Sequence, residues 1–172
     1  MSSAHTAADG TAGGGAVPRA REVSLRPVEP ADLEIFFTFE QDPEASRRAV
    51  FPSRERERFM THWQNRVLAD PTALVRTVIA DGEVAGNFLN WEADGRWQVG
   101  YWLGRAYWGR GIGTRALTQF TALIPHRPLY ADPFASNTAS VRLLERCGFH
   151  RIPDPGPEHG LEPGQVVLVL EQ

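Results

Sequence analysis

A single cysteine in 172 residues, Cys147, leaves no partner for an internal disulfide. Long hydrophobic runs are missing too. No stretch approaches the ~18 apolar residues a membrane helix needs, so no membrane association is expected. The five histidines fall at no metal-ligand spacing, and no metal is expected. Charge of one sign is scarce: the formal net charge is −3. No basic run accompanies Trp97, Tyr101, Trp102, Tyr107 and Trp108, which argues against nucleic acid and reads them as core or groove residues. Residues 1–21 lack an apolar core and are rich in Ala, Gly, Ser and Thr. They read as a flexible tail, neither signal peptide nor folded element. Residues 22–172 suit one domain. The expected compartment is the cytoplasm, and the expected assembly a monomer or homodimer.

What is present is a readable order of elements. Residues 22–28 read as a strand, and Pro30 as the opening of a helix carrying Leu33, Phe36 and Phe37. Phe51-Pro52-Ser53 breaks the chain, and Ser53 is the expected cap of a charged helix reaching residue 68. Residues 73–80, 83–91 and 97–103 alternate like strands and are joined by Asp81-Gly82 and Asp94-Gly95, the turn dipeptides of an antiparallel meander. Ala116, Leu117, Phe120 and Leu123 recur at helical spacing. A strand over 129–134, a helix from Asn137, a strand over 149–152, a loop over 153–164 and a strand over 165–170 complete the chain. No internal repeat is evident. The class is α+β: a mostly antiparallel sheet with helices on both faces.

Between the third meander strand and its helix lies Trp108-Gly109-Arg110-Gly111-Ile112-Gly113-Thr114. Glycines let backbone amides close around an anion, and a helix N-terminus offers unpaired N–H groups. A phosphorylated ligand is expected there. The P-loop does not fit: after Gly104 and Gly109 come Arg110 and Gly111, where Lys and Ser/Thr are needed. The dinucleotide fingerprint fails because Thr114 holds its last glycine position. Arg105 and Arg110 flank the loop and are candidate phosphate contacts.

The stretch from Val99-Gly100-Tyr101-Trp102-Leu103 to Gly113 resembles motif A of the GNAT family of N-acetyltransferases, whose pattern is Q/R-x-x-G-x-G/A. Gly111 and Gly113 match. Trp108 stands where Gln or Arg is usual, a departure similar to the ribosomal-protein N-acetyltransferase branch. A second block, from Asn137 through Ser140 to Gly148-Phe149, resembles the family's N-x-x-S-x-x-(L/V)-x-x-x-x-G-F motif. Here Asn137 is the expected cap, Gly148 the C′ residue, and Val141, Leu144 and Cys147 the buried stripe. Cys147 reads as a packed, reduced thiol.

The resemblance implies a splayed mixed sheet that takes the pantetheine arm of acetyl-coenzyme A, with the pyrophosphate in the glycine loop. Cofactor contacts would come from Tyr101, Trp102, Leu103, Trp108, Gly109, Arg110, Gly111, Ile112, Gly113, Thr114, Asn137 and Ser140. It implies acetyl transfer to a primary amine, of a protein N-terminus or a small molecule, by direct attack through a tetrahedral intermediate. An amine has a pKa near ~10, so a base must take its proton. The oxyanion donor falls near the Leu103 N–H. The family's usual proton donor, a tyrosine, is replaced by Leu144, which leaves Ser140 as the candidate. Gln98 stands where relatives often carry Glu, so Glu92 and Asp132 are the candidate bases. The surface for the acceptor is expected from about residues 36–63 and 153–164. Two readings stand beside this one: a non-catalytic acyl-coenzyme A binder, and a nucleotide switch, against which the missing Lys-Ser/Thr argues.

Overall fold

The computed structural model describes residues 17–172. Seven strands form one sheet in the order β1-β2-β3-β4-β5-β7-β6. The meander is β1 (Val23–Arg26), β2 (Leu74–Ala80), β3 (Glu83–Ala93) and β4 (Arg96–Leu103), paired antiparallel throughout. Its two turns use left-handed backbone at Asp81-Gly82 and Asp94-Gly95, as those dipeptides allow. β5 (Leu129–Ala131) lies parallel to β4, and β7 (Leu168–Leu170) runs antiparallel between β5 and β6 (His150–Arg151). Strand β5 is half its expected length because Pro133 cannot donate to a ladder. Phe134 makes an isolated bridge to Gln165.

Strand alternation sends neighbouring side chains to two separate cores. Phe88 joins Tyr101 and Phe120 under α4 (Ile112–Leu123) and α5 (Thr138–Arg146). The next residue, Leu89, packs with Leu33, Phe36, Phe59 and Trp63 of α1 (Asp32–Glu40) and α3 (Arg56–His62). Helices thus cover both faces of an α+β sheet.

Three elements differ from the sequence reading. A short helix, α2 (Pro43–Ala49), intervenes where none was expected; Asp42 caps it by accepting from Glu44 N and Ala45 N. Ser53 is not the cap of α3; that position is Glu55, and no side chain caps it. α3 ends in a π turn, Trp63–Val67, closed by Leu68 N to Trp63 O at 2.8 Å. Leu123 is half-exposed rather than part of the α4 stripe, and Thr121 is buried in that helix instead. Of the expected tail, residues 1–16 lie outside the described residues. Residues 17–21 pack on the glycine loop: Ala20 is buried and its N–H donates to Arg110 O at 3.1 Å.

Candidate active site

The two parallel strands touch briefly. β4 and β5 share only the pairs Trp97↔Leu129 and Gln98↔Tyr130. Beyond them β4 runs on to Leu103 while β5 stops at Ala131, and a gap opens. Gly104 N donates to Ala85 O on the β3 side at 2.9 Å. Backbone groups alternate along a strand, so the Leu103 N–H and C=O face the other way, towards the gap. The Trp108 indole Nε1 donates to that C=O at 3.0 Å. Trp108 therefore occupies the Leu103 carbonyl, while the Leu103 N–H, in the preceding peptide, faces the same side.

The glycine loop follows. Gly109 and Gly111 both sit at φ +71°, a conformation that costs an L side chain dear. Gly111 is the N-cap of α4, and the first intrahelical bond is Arg115 N to Gly111 O at 3.4 Å. The amides of Ile112, Gly113 and Thr114 precede it and carry the helix's positive end. A Cβ on Gly113 would lie 3.0 Å from Leu143 and 3.3 Å from Leu103, so α4, α5 and β4 meet closely there. These features fit a pyrophosphate.

The two arginines expected beside the loop both have carboxylate partners. Arg110 Nη2 pairs with Asp81 Oδ2 at 2.9 Å, and its Nε donates to Pro18 O. Backbone N–H donation from Glu22, with Arg21 N and Arg110, holds the Asp81 carboxyl below the usual range. Arg105 is 3.8 Å from Asp42. The Arg48 guanidinium, from α2, pairs with Glu44 at 2.7 Å and lies 4.6 Å over the Trp108 ring. It shares a polar cavity of about 300 Å³ with Thr114, Asn137, Arg142 and Arg146. Asn137 caps α5, accepting from Ser140 N at 3.3 Å. Gly148, at φ +91°, is the C′ residue, and Phe149 N donates to Leu144 O. Burial pushes the Cys147 thiol up, as a packed cysteine requires.

On the α5 side of the sheet the Tyr101 hydroxyl meets Ser140 Oγ at 2.7 Å, with both residues fully buried. Tyr101 and Trp102 also line a second, larger groove of about 830 Å³. Phe36, Phe51, Trp63, Glu158 and His159, from the segments 36–63 and 153–164, help to form it. Glu92 and Asp132 lie in this groove as well, whereas Ser140 is reached only through Tyr101. Glu92 is exposed at the β3–β4 turn, and its Oε1 accepts from Gly95 N at 2.6 Å. Asp132 is half-buried, one residue past β5.

Sequence reasoning missed three features here. The Trp102 Nε1 is buried with no partner among the described residues. Glu40, 4% exposed, receives Arg54 Nη2 at 2.5 Å and Arg54 N at 3.0 Å. His62 lines the groove, and burial with the nearby Arg54 charge lowers its pKa. None of the three follows a local pattern, because each depends on chain segments far apart in sequence. Among the described residues no group of three or more His, Cys, Asp or Glu could hold a metal.

The acetyltransferase (GNAT) domain model matches residues 22–150, so the chain belongs to the GNAT acetyltransferase family. It is an acyltransferase. A curated relative, the uncharacterized N-acetyltransferase p20 of Bacillus licheniformis, is 28% identical over 143 residues, covering 75% of this chain and 79% of that protein. Solved structures share the fold. Aminoglycoside acetyltransferase AAC(6')-Ib in complex with coenzyme A and kanamycin superposes with a TM-score of 0.73 at 19% identity, over 88% of this chain and 95% of that one. An acetyltransferase from Thermus thermophilus gives 0.73 at 20% identity, over 90% and 99%.

Proposed function

We propose that this enzyme transfers the acetyl group of acetyl-coenzyme A to a primary amine of a small, cationic molecule, by direct attack through a tetrahedral intermediate. The observation that carries the choice of acceptor is the charge of the large groove. Six carboxylates line it (Glu40, Asp70, Glu92, Asp94, Asp132, Glu158) against three arginines (Arg54, Arg66, Arg96). Glu40 and Arg54 neutralise one another, which leaves five against two. Such a groove concentrates cations and disfavours an acidic acceptor. The unpartnered Trp102 N–H adds a donor for a hydroxyl or ether oxygen of the acceptor, since a buried donor left alone costs about 1–3 kcal/mol. The kanamycin-bound relative of the same fold takes an acceptor of this kind, a polar molecule with several amines.

The thioester supplies an activated acyl carbon. The chain supplies the rest. The loop amides of Ile112, Gly113 and Thr114 hold the pyrophosphate, helped by Arg48. The Leu103 N–H, on the gap side of β4, receives the oxyanion. Asp132, at the gap, accepts the amine proton directly or through water. Ser140, 2.7 Å from the Tyr101 hydroxyl, is the candidate donor for the departing sulfur.

The reading is tested with a panel of kanamycin, spermidine and an alanyl peptide, scored by free thiol released from acetyl-coenzyme A. Kanamycin and spermidine are expected to stimulate release. Stimulation by the peptide alone would replace the small acceptor with a protein N-terminus. Tight coenzyme A binding without turnover on any amine would make the protein a binder rather than a catalyst.

A further inference from the structure

One register row of the sheet carries a hydrogen-bonding side chain on every strand of the meander. Arg26 of β1 lies opposite Thr77 of β2, Thr77 opposite Asn87 of β3, and Asn87 opposite Trp102 of β4. The outer half of the row is engaged: Arg26 and Thr77 Oγ1 donate to the Asp32 carboxylate of α1 at 2.6–2.8 Å. The inner half is not. Asn87 is 3% exposed and Trp102 7% exposed. Neither the Asn87 side-chain amide nor the Trp102 Nε1 has a hydrogen-bond partner among the described residues. Both residues line the large groove.

Two polar groups buried side by side without partners, at the wall of a groove, call for a ligand that brings the partner. The neighbouring walls bring none. The Phe51 ring stands edge-on to the Trp102 ring, with centroids 6.1 Å apart, and Phe36 and Trp63 are the other aromatic walls. The donor inventory then selects the ligand group. An indole N–H only donates, whereas a side-chain amide both donates and accepts. An ammonium only donates, so it leaves the indole unsatisfied. A carboxylate only accepts, and the groove's five unpaired carboxylates repel it. A hydroxyl does both. We propose that Asn87 and Trp102 together read a hydroxyl on the acceptor, next to the amine that is acetylated, which makes the substrate class a vicinal amino alcohol rather than a plain polyamine. The hydroxyl oxygen accepts from Trp102 Nε1, and its proton goes to Asn87 Oδ1. The inference narrows the reading above and rests on it.

The register places the hydroxyl close to the amine. Trp102 directly precedes Leu103, whose N–H faces the gap. The next row on the same face is Leu89 opposite Gly100, and Gly100 puts no side chain between the polar pair and the seam. An amine over Gly100 is two residues of strand, ~7 Å, from the Asn87–Trp102 row. A vicinal amino alcohol with its hydrogen bond spans about that distance.

The test compares 1,3-diamino-2-propanol with 1,3-diaminopropane, which differ by one hydroxyl, at saturating acetyl-coenzyme A. Each is assayed with the wild type, Asn87→Leu and Trp102→Phe. Both substitutions put apolar atoms in place of polar ones at little change in size, and an unchanged KM for acetyl-coenzyme A checks that the fold is kept. The quantity read is the ratio of kcat/KM for the hydroxylated amine to that for the plain one. Comparing this ratio between variants cancels the difference in basicity of the two amines. The wild type is expected to favour the hydroxylated amine by at least about tenfold, since a site built for a hydroxyl rejects the analogue that lacks it. Each variant is expected to bring the ratio towards one, by losing the hydroxylated amine. A wild-type ratio near one overturns the inference, as does a ratio that survives both substitutions. If kanamycin is turned over and neither diamine is, the KM for kanamycin decides, and an unchanged value in both variants overturns the inference. Thiol release with no amine at all would instead remove the reading beneath it.

Discussion

A carboxylate serves as a base only where it can reach the reacting amine. Glu92 holds the amide of Gly95 in its own turn and faces solvent. Asp132 stands where β5 leaves the sheet, at the gap and in the groove together. Asp132→Asn is expected to lower kcat by at least about tenfold, towards the range of a lost general base, while coenzyme A affinity is retained. Calorimetry of coenzyme A binding and a pH–rate profile check this, and an unchanged profile removes Asp132 from the mechanism. Of the residues at this scale, the glycines and Asn137 were legible in the sequence because caps and left-handed turns are written locally. The roles of Trp108 and Arg48 were not. The Arg48 guanidinium, 60 residues before Trp108, lies over its ring while paired with Glu44, a contact no local pattern announces.

Elements were legible in proportion to their periodicity. The β2–β3–β4 meander alternates and is punctuated by Asp-Gly pairs, and α5 carries both its cap and its stop signal, so these came out within a residue or two. Helix α2 buries only Ala45 and Ala49 and shows no apolar stripe. Its signal was the run Asp42-Pro43-Glu44, a cap, a first-turn proline and a first-turn acid. The π turn at Trp63–Val67 has no sequence signature. It turns Trp63 and Val67 together onto the groove. Helix α1 is tied to the sheet by one carboxylate. Asp32, 2% exposed, is held by Arg26 at 2.6 and 2.8 Å, Glu29 N at 2.8 Å and Thr77 Oγ1 at 2.7 Å. Burial alone would raise its pKa, but these donors together bring it below 3.8. The stabilisation is therefore complete above the unfolded pKa near 3.9 and is lost as pH falls through the lower folded value. Asp32→Asn is expected to cost about 2–3 kcal/mol at pH 7. Its melting temperature should converge on the wild type's as pH drops below about 4, and parallel thermal melts at pH 7 and pH 3 would show whether the gap closes.

At the scale of the molecule, charge is uneven in kind as well as in place. All 18 basic residues are arginine and none is lysine. The acetyltransferase thus has no side-chain primary amine of its own to modify. Prolonged incubation with acetyl-coenzyme A is expected to leave every side chain unacetylated by intact-mass and peptide mass spectrometry. The groove's excess of carboxylates makes a second prediction at this scale. KM for a polycationic acceptor should rise between 20 mM and 300 mM salt, because the Debye length shortens from about 20 Å to about 6 Å, while KM for a singly charged amine should change less. Equal salt dependence for both would argue against the groove as the recognition surface.

The brief contact between β4 and β5 makes the sheet two plates joined by a seam two residue pairs long. One plate holds β1–β4, the other β5–β7. Such a joint invites sub-global opening, in which the smaller plate exchanges its amide hydrogens at lower free energy than the meander. A ligand lodged in the gap would act as mortar. Hydrogen exchange in β5 and β7 should slow on adding coenzyme A, even though few of those amides touch it, and the two plates should then unfold as a single cooperative body.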